Sequence, residues 1–310
     1  KELYPNINID WNLLELGCLY HDLGKMNKKF QDKITGNKIH KDEIPHAFLS
    51  ITVMDYDKLE EQFTKNEIKA LIGAIAHHHE RNYNIKSSKD IYLHEVEKFK
   101  EDIVGFEYEK AGSIATPEAP PQIYWKGEKP TSDSSPEVFY EYLMIKGLLN
   151  RLDYAASTYE PVEIKNDFLE DLLNNTLKSF QKTNPSADWN PLQRYMIENR
   201  DSNLAVVAQT GMGKTEAGLL WIGNNKGFFT LPLKTAINAI YKRVVKDIKE
   251  DIDDKIGLLH SETYNEYLEV ERDNNITSDI DRYYTKTKQL SMPLTICTLD
   301  QIFDFVYRYK

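Results

Sequence analysis

Six of the eight histidines fall between residues 21 and 79. His21 is followed directly by Asp22 in the segment 19–25 (LYHDLGK), His46 lies in 45–50 (PHAFLS), and His77, His78 and His79 are consecutive. Asp153 comes later, in 150–157 (NRLDYAAS). Imidazoles with carboxylates form a donor set for divalent transition metals more than for Mg²⁺ alone. An adjacent His-Asp pair can serve two ions, with the carboxylate between them. Two ions about 3.5–4 Å apart can activate a water and stabilise both oxygens of an in-line displacement at phosphorus. A histidine run at a helix end also has a plainer reading, because imidazolium suits the helix dipole there. Next to HDLGK, metal binding is the better reading of the run. His40, His94 and His260 read as ordinary surface or core histidines.

A second chemistry-bearing motif lies far downstream, in residues 208–215 (AQTGMGKT). It sits between a strand-like run, 204–208 (LAVVA), and a helix-like segment starting at Glu216, which is the context a phosphate loop needs. Gly211 and Gly213 let main-chain N–H groups, with that of Met212, turn inward around phosphate oxygens, and the following helix brings its positive end to the same point. Lys214 would reach the β- and γ-phosphates of ATP, and Thr215 would hold Mg²⁺. Upstream, Gln193 in NPLQ resembles the adenine-reading glutamine of superfamily 2 helicases. Residues 230–235 (TLPLKT) and 295–301 (TICTLDQ) are similar to strand-end segments that hold a nucleic-acid backbone in such helicases.

The elements that must position these groups read in two textures. Apolar positions recur at helical spacing in 11–21 and 67–79, and 91–106, 138–157 and 167–180 also read as helices. Residues 107–137 hold five of the twelve prolines and read as a loop or insertion. After the polar stretch 181–190, expected to be a linker, strands at 204–208, 227–231, 256–260 and 294–298 alternate with helices, the pattern of a parallel α/β sheet.

The 310 residues suit about two domains. No apolar run approaches the ~18 residues of a membrane span, no signal peptide is evident, and two distant cysteines make no disulfide framework, so a reducing cytoplasmic setting is expected. The net charge of −10 argues against coating nucleic acid by bulk charge. It is unevenly spread: residues 1–180 carry 22 basic and 31 acidic side chains, and residues 181–310 carry 17 and 18.

Taken in order, HDLGK, the Phe30-Gln31 pair, PHAFLS, the histidine run and LDYAAS resemble the HD-superfamily nuclease domain. Followed by a superfamily 2 phosphate loop in one chain, they resemble the CRISPR-associated helicase-nucleases of type I systems. The resemblance implies a multidomain protein: an all-α HD domain in 1–180, a linker at 181–190, and the N-terminal part of an α/β RecA-like helicase domain in 191–310. It implies a site for two divalent transition metals (Mn, Co, Ni or Fe), one held by His21, Asp22 and Asp153 and the other by Asp22, His46, His78 and His79. His78 and His79 are preferred to His77 because the family's pair precedes a sequence like Glu80-Arg81. Asp22 and Lys25 would be catalytic, Lys25 as an electrostatic stabiliser near the scissile phosphate.

The implied activity is cleavage of single-stranded DNA fed by ATP-driven 3′→5′ translocation, after recruitment by the CRISPR RNA-guided surveillance complex. An upstream metal-binding histidine of the family has no counterpart before His21, and no Asp-Glu box follows residue 301. The chain is therefore expected to be part of a longer protein, with weak nucleotide binding and little hydrolysis of its own. Two other readings stay open: a nucleotide phosphohydrolase of the HD type, and a non-catalytic recruitment module.

Overall fold

The computed structural model describes residues 2, 4–79, 89–111, 114–133, 135–248, 251–274 and 279–307, without the side chains of 270–274 and 304–307. It divides into two compact units, Lys1–Tyr159 and Glu160–Lys310.

Among the described residues, the main elements of the first unit are helices: α1 (Trp11–Tyr20), α2 (Lys28–Ile34), α3 (His46–Ser50), α4 (Tyr56–Gln62), α5 (Lys65–Ala76), α6 (Lys89–Asp102) and α7 (Pro136–Thr158). Each start has a local cause. The Asp10 carboxylate accepts from the N–H groups of Asn12 and Leu13 and caps α1. Thr64 and Glu67 form a reciprocal capping box on α5. Pro136 occupies the first turn of α7, where a missing N–H costs nothing. Leu13 and Leu14 of α1, Ile68, Leu71, Ile72 and Ile75 of α5, and Ile145 and Leu149 of α7 are buried together. Each such side chain contributes about 1.5–3 kcal/mol. The three helices thus form the frame for the site: His21 and His77–His79 follow the ends of α1 and α5, and Asp153 lies within α7.

The proline-rich stretch is more closely packed than a loop. The N–H groups of Ala115 and Glu118 donate to the carbonyls of Val53 and Thr52. Tyr124 and Trp125 are buried, and the Tyr124 hydroxyl donates to Glu60. Prolines hold this segment extended without needing ladder partners, and its two aromatics anchor it as a strap on the core.

The second unit contains α8 (Leu169–Thr183), α9 (Pro191–Glu198), α10 (Lys214–Ile222), β1 (Gly227–Leu231), α11 (Lys234–Asp247), α12 (Ile252–Lys255), β2 (Ile256–Leu259), α13 (Thr263–Asn274), α14 (Ile280–Lys288), β3 (Leu294–Thr298) and α15 (Leu299–Tyr307). The three strands form a parallel sheet in the order β1-β3-β2, with both Gly227 and Ile256 opposite Leu294. β2 and β3 are buried along their whole length, in keeping with their lack of charged residues.

Two expectations are corrected here. Residues 204–208 form no strand: Val206 is exposed and Val207 fully so. β-propensity yields a strand only beside a hydrogen-bonding edge, and none of the described strands pairs with this run. The break between units falls at Tyr159/Glu160, not at 181–190. Phe168, Leu169 and Leu173 pack with Leu219, Leu220 and Ile222, and the Asn166 amide donates to the carbonyls of Gly223 and Asn225. The polar stretch only turns the chain between α8 and α9. A chain segment 160–310 is therefore expected to unfold at a higher urea midpoint than a segment 184–310. Equal midpoints would return α8 to the first unit.

Candidate metal centre

Asp22 stands at the turn between α1 and a short 3₁₀ turn, Leu23–Met26, that carries Lys25. Its position relative to α3 is set by an unusually close backbone contact. A Cβ on Gly24 would fall 1.9 Å from the carbonyl oxygen of His46 and 2.7 Å from the nitrogen of Ser50, so only glycine fits. Across this contact the buried Ser50 hydroxyl donates to the His21 carbonyl at 2.6 Å and accepts the Gly24 N–H at 2.9 Å. The HDLGK turn and α3 are thereby locked together.

This contact brings two ligand sets around one carboxylate. Oδ1 of Asp22 faces Nε2 of His46 at 3.2 Å and Nε2 of His78 at 4.0 Å. Oδ2 faces Nε2 of His21 at 3.4 Å and the Lys25 ammonium at 2.6 Å. His21 Nε2 lies 3.4 Å from Asp153 Oδ1. Asp22, His46, His78 and His79 offer donor atoms all within 4.8 Å of one another, and so do His21, Asp22 and Asp153. These are the two sets expected for two ions, and Asp22 contributes to both through different oxygens.

The rings are aimed by main-chain carbonyls one turn back. His21 bonds through Nδ1 to the Cys18 carbonyl at 2.9 Å, and His78 through Nδ1 to the Ile75 carbonyl at 2.7 Å. With the proton held on Nδ1, the Nε2 lone pair of each ring is turned into the site. There both Nε2 atoms are buried and lack a hydrogen-bond partner among the described residues. A neutral imidazole nitrogen so placed is costly unless something electrophilic sits against it, and a divalent cation meets that need.

The electrostatics agree with this reading. Burial alone would raise the Asp22 pKa, but the hydrogen bond with His46, the His21 ring and Lys25 outweigh it and hold the carboxyl well below the usual range. Burial pushes His78 down to about 3, so it is neutral and ready to ligate near pH 7. Lys25 is a third exposed and sits on the shared carboxylate. Phe30 backs the site, its ring edge-on to His46 at 5.4 Å, and Gln31 donates to the Lys25 carbonyl.

His77 does not join either set; it packs away from the site on Phe48 and Trp125. Glu80 and Arg81, which had recommended His78 and His79, lie outside the described residues. His40 pairs with Asp32, His94 is exposed on α6, and His260 is buried against Asn238. Gly24 and Ser50 were inside the quoted motifs, but spacing gave them no role. Their role depends on a contact between segments some 25 residues apart.

In the second unit, Gly211 and Gly213 take positive φ of 86° and 68°, and α10 starts at Lys214. The Lys214 ammonium donates to the carbonyls of Ala208 and Gln209, both at 2.9 Å, and so curls back over the loop. Thr215 sits in the first turn of α10, and Met212 is exposed at the loop tip. Gln193 is buried in a capping box with Asn190 on α9. A Cβ at Gly213 would come 2.5 Å from its amide nitrogen, so Gln193 supports the loop from behind. In this arrangement its amide is engaged with protein, a departure from the free adenine reader that the motif suggested.

Comparison with known proteins follows the same division. Residues 1–105, within the first unit, match the family model described as an HD domain. Over nearly its whole length the chain is related to proteins described as CRISPR-associated nuclease/helicases. It is 27% identical to "CRISPR-associated nuclease/helicase Cas3" of Methanothermobacter thermautotrophicus, covering 93% of this chain and 40% of that protein. It is 24% identical to "Putative CRISPR-associated nuclease/helicase Cas3" of Methanocaldococcus jannaschii, covering 94% and 46%. The chain thus spans less than half the length of these relatives. A crystal structure of T. fusca Cas3 with ATP aligns with 93% of this chain and 37% of that one, at 13% identity and a TM-score of 0.45, too loose a likeness to add to the fold.

Two outcomes are expected. Gly24→Ala forces α3 away from the HDLGK turn, so Mn²⁺ uptake measured by calorimetry should fall by at least about tenfold, as for lost ligand support elsewhere; unchanged uptake would show that the contact yields. Burial, with Lys146 adding to it, lowers His77 to about 4, and burial lowers His78 to about 3, against an ordinary 6.5. The unfolded chain therefore takes up these protons first as pH falls. Without added metal, the thermal unfolding midpoint should drop between pH 6.5 and about 4, and a flat midpoint would show that both rings protonate freely in the fold.

Proposed function

We propose that the first unit is a divalent-metal-dependent nuclease that cleaves single-stranded DNA. In the longer protein it would be coupled to an ATP-driven 3′→5′ translocase and recruited by a CRISPR RNA-guided surveillance complex in the cytoplasm. The observation that carries this reading is the pair of ligand sets sharing Asp22, within an HD domain, in a chain related to CRISPR-associated nuclease/helicases.

The donor sets fit two cations. Three imidazoles and one carboxylate favour Mn, Co, Ni or Fe over Mg, whereas the set of His21, Asp22 and Asp153 is richer in oxygen. Bound cations would supply a water-derived nucleophile and offset charge on the attacking and leaving oxygens of an in-line displacement. The protein's own residues do the positioning. The Cys18 and Ile75 carbonyls hold His21 and His78 in the ligating tautomer. Asp22 keeps the two sets in one register, and the half-exposed side of its carboxylate, with Lys25 beside it, is where a phosphodiester can approach. The Lys25 ammonium is the side-chain cation placed to stabilise charge there. His46 and His78 are buried, which holds that side of the site rigid.

For the second unit, the reading assigns ATP phosphates and Mg²⁺ to Gly211, Met212, Gly213, Lys214 and Thr215. The Lys214 ammonium would exchange its two loop carbonyls for phosphate oxygens. Gln193 would act through the loop it supports.

Single-stranded DNA incubated with Mn²⁺, Co²⁺ or Ni²⁺ should be degraded by the wild-type chain and not by Asp22→Ala. Equal cleavage by both would sink the proposal, and hydrolysis of nucleotides without DNA cleavage would favour the phosphohydrolase reading. Lys214→Ala should abolish binding of a fluorescent ATP analogue while leaving metal uptake at the first unit intact.

A further inference from the structure

Three consecutive residues leaving a helix point in three directions, about 100° apart while helical geometry lasts. Two of the three histidines after α5 face the metal centre, their rings 4.0 Å apart. The remaining one, His77, must go elsewhere, and where it goes decides how the other two are aimed. His77 is the C-cap of α5, its N–H donating to the Gly73 carbonyl. Its ring lies edge-on to Phe48 at 5.6 Å and against Trp125 at 6.3 Å. A ring N–H donates to the main-chain carbonyl of Glu128. Among the described residues, Nε2 is buried and lacks a hydrogen-bond partner, so this bond uses Nδ1.

Each of these contacts leads to another part of the site. Phe48 is two residues after His46 on the same short helix α3. Trp125 and Glu128 belong to the proline-rich strap, which is itself seated on α5 where Pro130 lies against Gly73. Trp125 also lies tilted against Phe48 at 5.5 Å and meets Tyr92 of α6 edge-on at 6.0 Å. The ring of His77 therefore joins the end of α5, the helix that carries His46, and the strap. A phenylalanine would offer the faces without the N–H, and an asparagine or glutamine the N–H without the ring. Histidine offers both.

We propose that His77 is a positioning residue for the His-rich ligand set: anchored to Phe48, Trp125 and the Glu128 carbonyl, it fixes the direction in which His78 and His79 leave α5 and ties them to His46. The inference rests on the metal-centre reading above. It concerns only one of the two ligand sets, because His21 and Asp153 are supported from α1 and α7.

Cobalt(II) uptake by the full chain, followed by visible absorption and by equilibrium dialysis, separates the possibilities. The wild type should take up two equivalents. His77→Phe should weaken one equivalent by about 10- to 100-fold, the range for lost support behind a metal ligand, and leave the other near its wild-type value. His77→Asn, which keeps a donor toward Glu128, should recover part of the loss. Trp125→Phe leaves α5 untouched and should weaken the same equivalent more mildly, which serves if His77→Phe does not fold. Wild-type uptake and spectrum in both His77→Phe and Trp125→Phe would overturn the proposal alone. A wild-type chain that takes up no cobalt would overturn the metal reading and this inference with it. Equal weakening of both equivalents would show a general loss of the fold and also count against it.

Discussion

The site depends on one backbone contact, the packing of Gly24 directly on the first turn of α3. At that point two segments approach more closely than any side chain permits, and the Ser50 hydroxyl bonds to both of them. Asp22 is fixed on one side of this contact and His46 on the other. If the segments moved apart by the thickness of a methyl group, the carboxylate could no longer reach both His46 and His21. The apolar frame of α1, α5 and α7 gives the unit its stability. The polar seam between the turn and α3 sets the geometry in which the donors meet.

The electrostatics of the site follow from the same seam. A carboxylate that is two-thirds shielded would ordinarily resist ionising, and imidazoles that are wholly shielded resist protonation. Placed together, they reinforce each other: Asp22 stays anionic because His46, His21 and Lys25 surround it, and His78 stays neutral because it is buried among other rings. The result is a preformed basin of negative charge and lone pairs within a unit that is acidic as a whole. Such a basin attracts cations. It would repel a phosphodiester unless cations or Lys25 intervened, so the proposed nucleic-acid substrate would need such cations, or Lys25, to reach this acidic half.

What could be read in advance divides along physical lines. Helices with apolar stripes and caps, such as α1, α5 and α7, were legible because their causes are local. Motif order picked out His21, Asp22, His46, His78, His79 and Asp153 as candidate ligands, and the structure brings these residues together in two groups. Features that depend on partners distant in sequence were not legible. The run 204–208 has strand composition but pairs with none of the described strands. α8 looked like the last helix of the first half because its polar C-terminal neighbourhood resembles a linker, yet its apolar residues meet α10. The 107–137 segment looked like a loop because prolines hide the two aromatics that seat it. Gln193 lies in a motif that suggests nucleotide contact, but the capping box with Asn190 determines where its amide goes.

The arrangement of the ligands along the chain also orders their assembly. Asp22, His46, His78 and His79 are all made within the first 79 residues, whereas Asp153 lies on a helix completed about 75 residues later. During synthesis from the N-terminus, all four residues of the imidazole-rich set are made before Asp153, the last member of the oxygen-rich set. A cation captured early would meet three nitrogens and one carboxylate, and the second oxygen of that carboxylate would wait for α7 to dock. Under the metal-centre reading, sharing Asp22 would make the two halves successive stages of one assembly, with the imidazole-rich donors made first.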